Sequence, residues 1–174
     1  MALLYLVGVT VRCATVVDVP PAIVNRVHAK HLLTRAERAW LPVVADRRSV
    51  SAIIITLAQH YRMNAHPHAS EHWKEGARAL EKLVEQLSDL ELVGCLNCRE
   101  ASRCIALDTR VGLLPILLVL ADHFWDVADL LVGGEVSNGA AAIANAIEIA
   151  INEYSGDDNY KRDVTPMRDP YRRC

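Results

Sequence analysis

Between Val7 and Val19 the chain alternates. Val7, Val9, Val11, Cys13, Thr15, Val17 and Val19 fall on one side and Gly8, Thr10, Arg12, Ala14, Val16 and Asp18 on the other. A period of two in mostly β-branched residues predicts a short strand, ended by Pro20-Pro21. Past residue 34 the spacing changes to threes and fours, the signature of helices with one apolar face. Thr34-Arg-Ala-Glu37 is a capping box that starts one helix, and Pro42 limits or bends it after Leu41. Ser49 or Ser51 can cap the next, with Val50, Ile53, Ile54, Leu57 and Tyr61 on its buried face. From Ser70, the residues Trp73, Ala77, Leu80, Val84 and Leu87 form a seam that wants a partner helix. The apolar run Val111 to Ala121, with Pro115 in its first turn, predicts a buried helix closed by Gly133-Gly134. A last helix runs from about Asn138 to Tyr154, carrying Ile143, Ile147 and Ile151 on one face, with Gly156 as its stop. The segment Arg26 to Leu33 fits either a helix begun at Pro21 or a strand with Arg26, His28 and Lys30 on one side. The fold class is mainly α, a helical bundle-like body with a short N-terminal β element.

Charge divides this pattern. Residues 1–63 hold eight Lys/Arg against three Asp/Glu, and residues 64–174 hold eleven against eighteen, so a net charge of −2 hides a basic third and an acidic remainder. The expected organisation is a basic N-terminal part over 1–63, an acidic helical body over 70–156 and a polar C-terminal tail over 157–174, divided at the loop Asn64 to Ser70. With 174 residues and 52% hydrophobic positions the chain can bury a core without staples. Five cysteines, an odd number, argue against a disulfide framework and for a reducing compartment. Arg12 interrupts the apolar start and Asp122-His123 stops the central run, so neither reads as a membrane anchor and the expected location is cytoplasmic.

Residues 26–61 combine a segment of alternating polarity (Arg26 to Leu33), a capped helix (Thr34 to Leu41) and Arg48-Ser49-Val50-Ser51-Ala52 leading into an Ile-rich helix. In this order they resemble the ribbon-helix-helix family of DNA-binding proteins, over about a fifth of the chain. The resemblance implies a strand paired across a dimer in the major groove, with Arg26, His28 and Lys30 on base edges. It also implies a phosphate at the start of the second helix, near Arg47, Arg48 and Ser49. Pro42 inside the first helix, Arg47 where a glycine is usual and the apolar Ile55 depart from the family's pattern.

Cys95, Cys98 and Cys104 are spaced C-x₂-C-x₅-C, close enough in sequence to share a metal. Free structural cysteines are the default reading; zinc, with His66, His68 or His72 as fourth ligand, is the alternative. The crowd of His60, His66, His68 and His72 reads first as a mobile surface loop. Asp122, Asp126 and Asp129, on one helix face, read first as a solvated face. Nucleotide-binding and serine-hydrolase motifs are missing. The sequence thus points first to a small DNA-binding transcription regulator, a homo-oligomer whose acidic body dimerises or senses a ligand. The alternative is a non-catalytic helical adaptor whose basic third meets an acidic protein partner. A metal-dependent enzyme ranks third.

Overall fold

The computed structural model describes residue 26 and residues 28–91, 93–131 and 134–155. The alternating segment Val7 to Val19 and the polar tail lie outside them. The described chain is helical throughout: α1, of which residues 26 and 28–31 are described, then α2 (Arg35–Arg48), α3 (Val50–Asn64), α4 (Glu71–Ser88), α5 (Cys98–Val111), α6 (Leu113–Leu130) and α7 (Glu135–Ser155). No β-strand occurs among the described residues.

That finding overturns the ribbon-helix-helix resemblance, because the segment that should form the intersubunit ribbon is α1. Its physical reason lies in spacings of four. Ala29 and Leu33 are buried in the core, while Arg26 and Lys30, one turn apart, reach acidic groups on α7 and α6. A strand would put His31 on the same face as Ala29 and Leu33, yet His31 is exposed while those two are buried.

The capping box of α2 forms as the sequence requires. The Glu37 amide donates to Thr34 Oγ1 at 3.2 Å and the Thr34 amide to the Glu37 carboxylate at 2.8 Å. Of the two outcomes expected at Pro42, a limit or a bend, the limit does not occur: α2 runs through Pro42 to Arg48. Leu41, Val44 and Ala45 are buried on both sides of the proline, so packing outweighs the lost backbone hydrogen bond. In α3 the expected face is buried in full, from Val50 to Tyr61. The α4 seam finds its partner helices within the chain, packing on α3 and α7.

α6 is apolar on nearly every side from Leu113 to Ala121, and every one of those residues is buried. It packs most extensively on α7 and meets α5 at a 117° bend at Gly112. No single helix among the described residues is long and apolar enough to cross a membrane. One contiguous core runs from Ala29 to Ile151 and draws on helices from both the basic third and the acidic body.

Candidate functional site

The core holds one string of polar groups where α3, α4, α5 and α7 meet. His60 and Tyr61 come from α3, His72 and Trp73 from α4, Asp108 from α5 and Tyr154 from α7. Tyr61 Oη donates to Asp108 Oδ1 at 3.1 Å, and His72 Nε2 lies 3.5 Å from the same hydroxyl. Tyr154 Oη lies 2.8 Å from His72 Nδ1, and His60 Nε2 stands 3.9 Å from Asp108 Oδ2. The single Tyr61 proton goes to Asp108, and the Tyr61 hydroxyl is also within reach of His72 and hydrogen-bonded with Tyr154. The result is a hydrogen-bonded string that runs from half-buried Tyr154 and His72 to buried Asp108. Burial, then Asp108 and Tyr154, push the Tyr61 phenol well above its ordinary pKa, so Tyr61 stays protonated.

Trp73 closes the string with its ring centroid 4.7 Å from that of Tyr61 and 5.6 Å from that of His60. A Cβ at Gly76 would come within 2.2 Å of the Tyr61 ring, so α4 presents its barest position to this side chain. Neither Tyr61 nor Asp108 was singled out as a polar functional group by sequence reasoning. The signal was present for Asp108: Ala101, Cys104, Ile105, Asp108 and Val111 share one buried stripe of α5, and only one of them is acidic.

His72 sits below its ordinary pKa because burial disfavours its charged form, with Glu75 offsetting part of the effect. The folded protein therefore binds fewer protons here than the unfolded chain. The stability His72 contributes is present above about pH 6.5 and is lost as pH falls through its lowered folded-state pKa. Urea midpoints measured from about pH 8 to about pH 5 are expected to fall more steeply for the natural chain than for His72→Gln. Parallel profiles would show that His72 is not the group responsible.

The residues expected at DNA lie elsewhere. Arg26 Nη1 donates to Glu148 at 2.8 Å and its Nη2 to Asn152 at 2.6 Å, while Lys30 pairs with Asp122. Arg47 pairs with Glu100, and Arg48 Nε stands 3.4 Å from that carboxylate's other oxygen. His28 is exposed. Ser49 joins α2 to α3 at φ +82° and ψ 149°, a conformation that favours glycine. Its Oγ accepts from the Ala52 amide at 3.3 Å and from the Gly94 amide at 3.1 Å. Glu100 is buried and also closes a capping box with Asn97 at the start of α5. Burial alone would raise its pKa, but the Asn97 amide, Arg48 and Arg47 hold it below the usual carboxylate value. Four described cations of the basic third are thus paired with carboxylates of the acidic body of the same chain.

The cysteines separate by depth: Cys95 and Cys98 are exposed and Cys104 is buried. Burial, then the neighbouring Glu100, push the Cys104 thiol up to about 12. Among the described residues no group of three or more His, Cys, Asp or Glu is placed to hold a metal ion. His66 and His68 are exposed on the loop before α4, away from buried His60. On α6, Asp122 faces Lys30, whereas Asp126 and Asp129 are exposed.

Near those two acids in the sequence, at the end of α6 and the start of α7, several large apolar side chains are exposed. Leu130 is 81% exposed, Val136 66%, Leu131 47% and Trp125 40%. The turn is held in place by Ser137 Oγ, which donates to the Ala128 carbonyl at 2.9 Å. Asp122, Trp125, Asp126, Asp129 and Leu130 follow one another at helical spacing on one face of α6, and exposed Glu135 opens α7 beside them. No protein-family model, curated protein or solved structure matches this chain.

Proposed function

We propose that this protein is a non-catalytic helical adaptor that binds a basic, amphipathic protein segment at the α6–α7 end of the bundle. The observation that carries the reading is the cluster of large apolar side chains left in water there, Trp125, Leu130, Leu131 and Val136. A cluster of this kind rimmed by polar groups marks an interaction surface. Its rim sets the partner's charge: Asp126, Asp129 and Glu135 are all acidic. A second copy of the same face would set these acids against each other, so a basic partner fits better than self-association. The partner's charge is therefore opposite to the one suggested by the basic third alone.

A DNA-binding regulator built on Arg26, Lys30, Arg47 and Arg48 would have to trade their intramolecular carboxylates for phosphates. Two titrations by fluorescence anisotropy separate the readings. A labelled amphipathic Leu/Lys helical peptide is expected to bind saturably, better than its Leu/Glu counterpart. Replacing both Leu130→Asp and Val136→Asp is expected to weaken it by about tenfold or more. Equal binding of both peptides, or no effect of the replacements, rejects the adaptor site. A labelled random-sequence duplex, titrated across a salt series, is expected to bind weakly. A slope reporting several released counterions would instead favour the regulator.

A further inference from the structure

The segment between α4 and α5 carries two thiols into solvent within four residues. Cys95 and Cys98 are both exposed, separated only by Leu96 and Asn97. The chain on either side of Cys95 is anchored to one place, the α2–α3 junction. Before it, the Gly94 amide donates to Ser49 Oγ. After it, Asn97 caps α5: the Glu100 amide donates to Asn97 Oδ1 at 2.9 Å, and the Asn97 amide to the Glu100 carboxylate at 3.1 Å. That carboxylate is the one held by Arg47 and Arg48.

We propose that Cys95 and Cys98 form a redox-active dithiol that exchanges with small-molecule disulfides, and that closing their disulfide loosens the α5 cap from the α2–α3 junction. In the first step one protein thiolate attacks a sulfur of the small disulfide R–S–S–R, forming a mixed disulfide and expelling one RS⁻. The second protein thiolate then attacks the protein sulfur of the mixed disulfide, making the Cys95–Cys98 bond and expelling the second RS⁻. Two protein thiols are oxidised, one small disulfide is reduced, and the two protons end on the two released thiols.

The coupling follows from geometry. A disulfide needs Cα atoms within roughly 4.4–6.8 Å, so residues 95–98 must turn tightly. In the structure residues 93–97 are outside any helix and Asn97 is extended, with φ −73° and ψ 165°, the conformation its capping role requires. Turning the chain moves Asn97 off the cap, and Glu100 with it. The same anchors favour the dithiol, placing this disulfide among the readily reduced ones. Cys104 takes no part, since it is buried under the helix it belongs to.

The test uses the full chain equilibrated with reduced and oxidised glutathione and then digested with trypsin. Cleavage after Lys82 and Arg99 gives one peptide that holds Cys95, Cys98 and no other cysteine. The expected product is this peptide two hydrogens lighter and free of glutathione, while Cys95→Ser and Cys98→Ser each carry a single adduct. In the oxidised protein, hydrogen exchange at the Glu100 and Gly94 amides is expected to speed up about tenfold or more. Glutathione adducts on both cysteines without a link between them would overturn the dithiol. A linked pair with unchanged exchange would overturn its coupling to the junction.

Discussion

Gly94→Ala is expected to destabilise the protein by about 3 kcal/mol or more, at the upper end of what overpacking costs. A Cβ built on Gly94 stands 1.7 Å from the Arg48 carbonyl oxygen, 2.8 Å from its carbon and 3.2 Å from Ser49 Oγ. The first two are backbone atoms at the end of α2, so no side chain can rotate aside. The loop must lift away, and it carries several hydrogen bonds with it. Ser49 would lose the Gly94 amide, one of the two donors that hold it at positive φ, a conformation that costs about 1–3 kcal/mol when unsupported. Glu91, just before Gly94, accepts from the Ser51 amide at 2.6 Å and would be drawn off the same junction. The check is guanidinium unfolding: a lower midpoint with an unchanged slope is expected. Gly139→Ala provides the internal control. No atom lies within 4 Å of a Cβ there and the site is inside α7, so stability should rise by about 0.5–1 kcal/mol. A loss below about 0.5 kcal/mol at Gly94 would show that the two backbones are not in contact.

What the sequence disclosed and what it hid differ by range. The Thr34–Glu37 capping box, the Val50 to Tyr61 face and the Ile143, Ile147 and Ile151 face are local patterns, and each formed where the spacing put it. The segment Arg26 to Leu33 satisfied both periods locally; what decides it is Asp122, Glu148 and Asn152, about a hundred residues away. Charge sorting was equally visible, but its meaning was not. Five of the seven described cations before residue 64, Arg26, Lys30, Arg47, Arg48 and Arg62, face carboxylates beyond it, so the segregation serves folding as much as any outside polyanion. The C-x₂-C-x₅-C spacing showed three thiols near in sequence without showing that α5 turns the third inward. At the α6–α7 turn, the exposure of Leu130 and Val136 depends on how two helices pack and could not be read from either alone.

The buried string at Tyr61 gives the second large expectation. Asp108→Ala should cost about 2–6 kcal/mol, since two buried groups lose this partner at about 1–3 kcal/mol each, and Tyr61→Phe about 1–3 kcal/mol. The order follows from what each change leaves behind. Without Asp108, the Tyr61 hydroxyl loses its acceptor 3.1 Å away and His60 loses the carboxyl group 3.9 Å from its Nε2, both in the interior. Without the Tyr61 hydroxyl, His72 loses one neighbour but keeps Tyr154 at 2.8 Å, in a half-buried position that water can reach. Asp108→Asn retains an oxygen of the same reach and should recover part of the loss. The two sites share one hydrogen bond, so the double variant Tyr61→Phe/Asp108→Ala is expected to cost less than the sum of the singles, by about 0.5–3 kcal/mol. Additive losses would mean that the two groups stabilise the fold separately. A coupled loss, with Asp108→Ala the larger single effect, would establish the Tyr61–Asp108 hydrogen bond as a link between α3 and α5 that the apolar core alone does not supply.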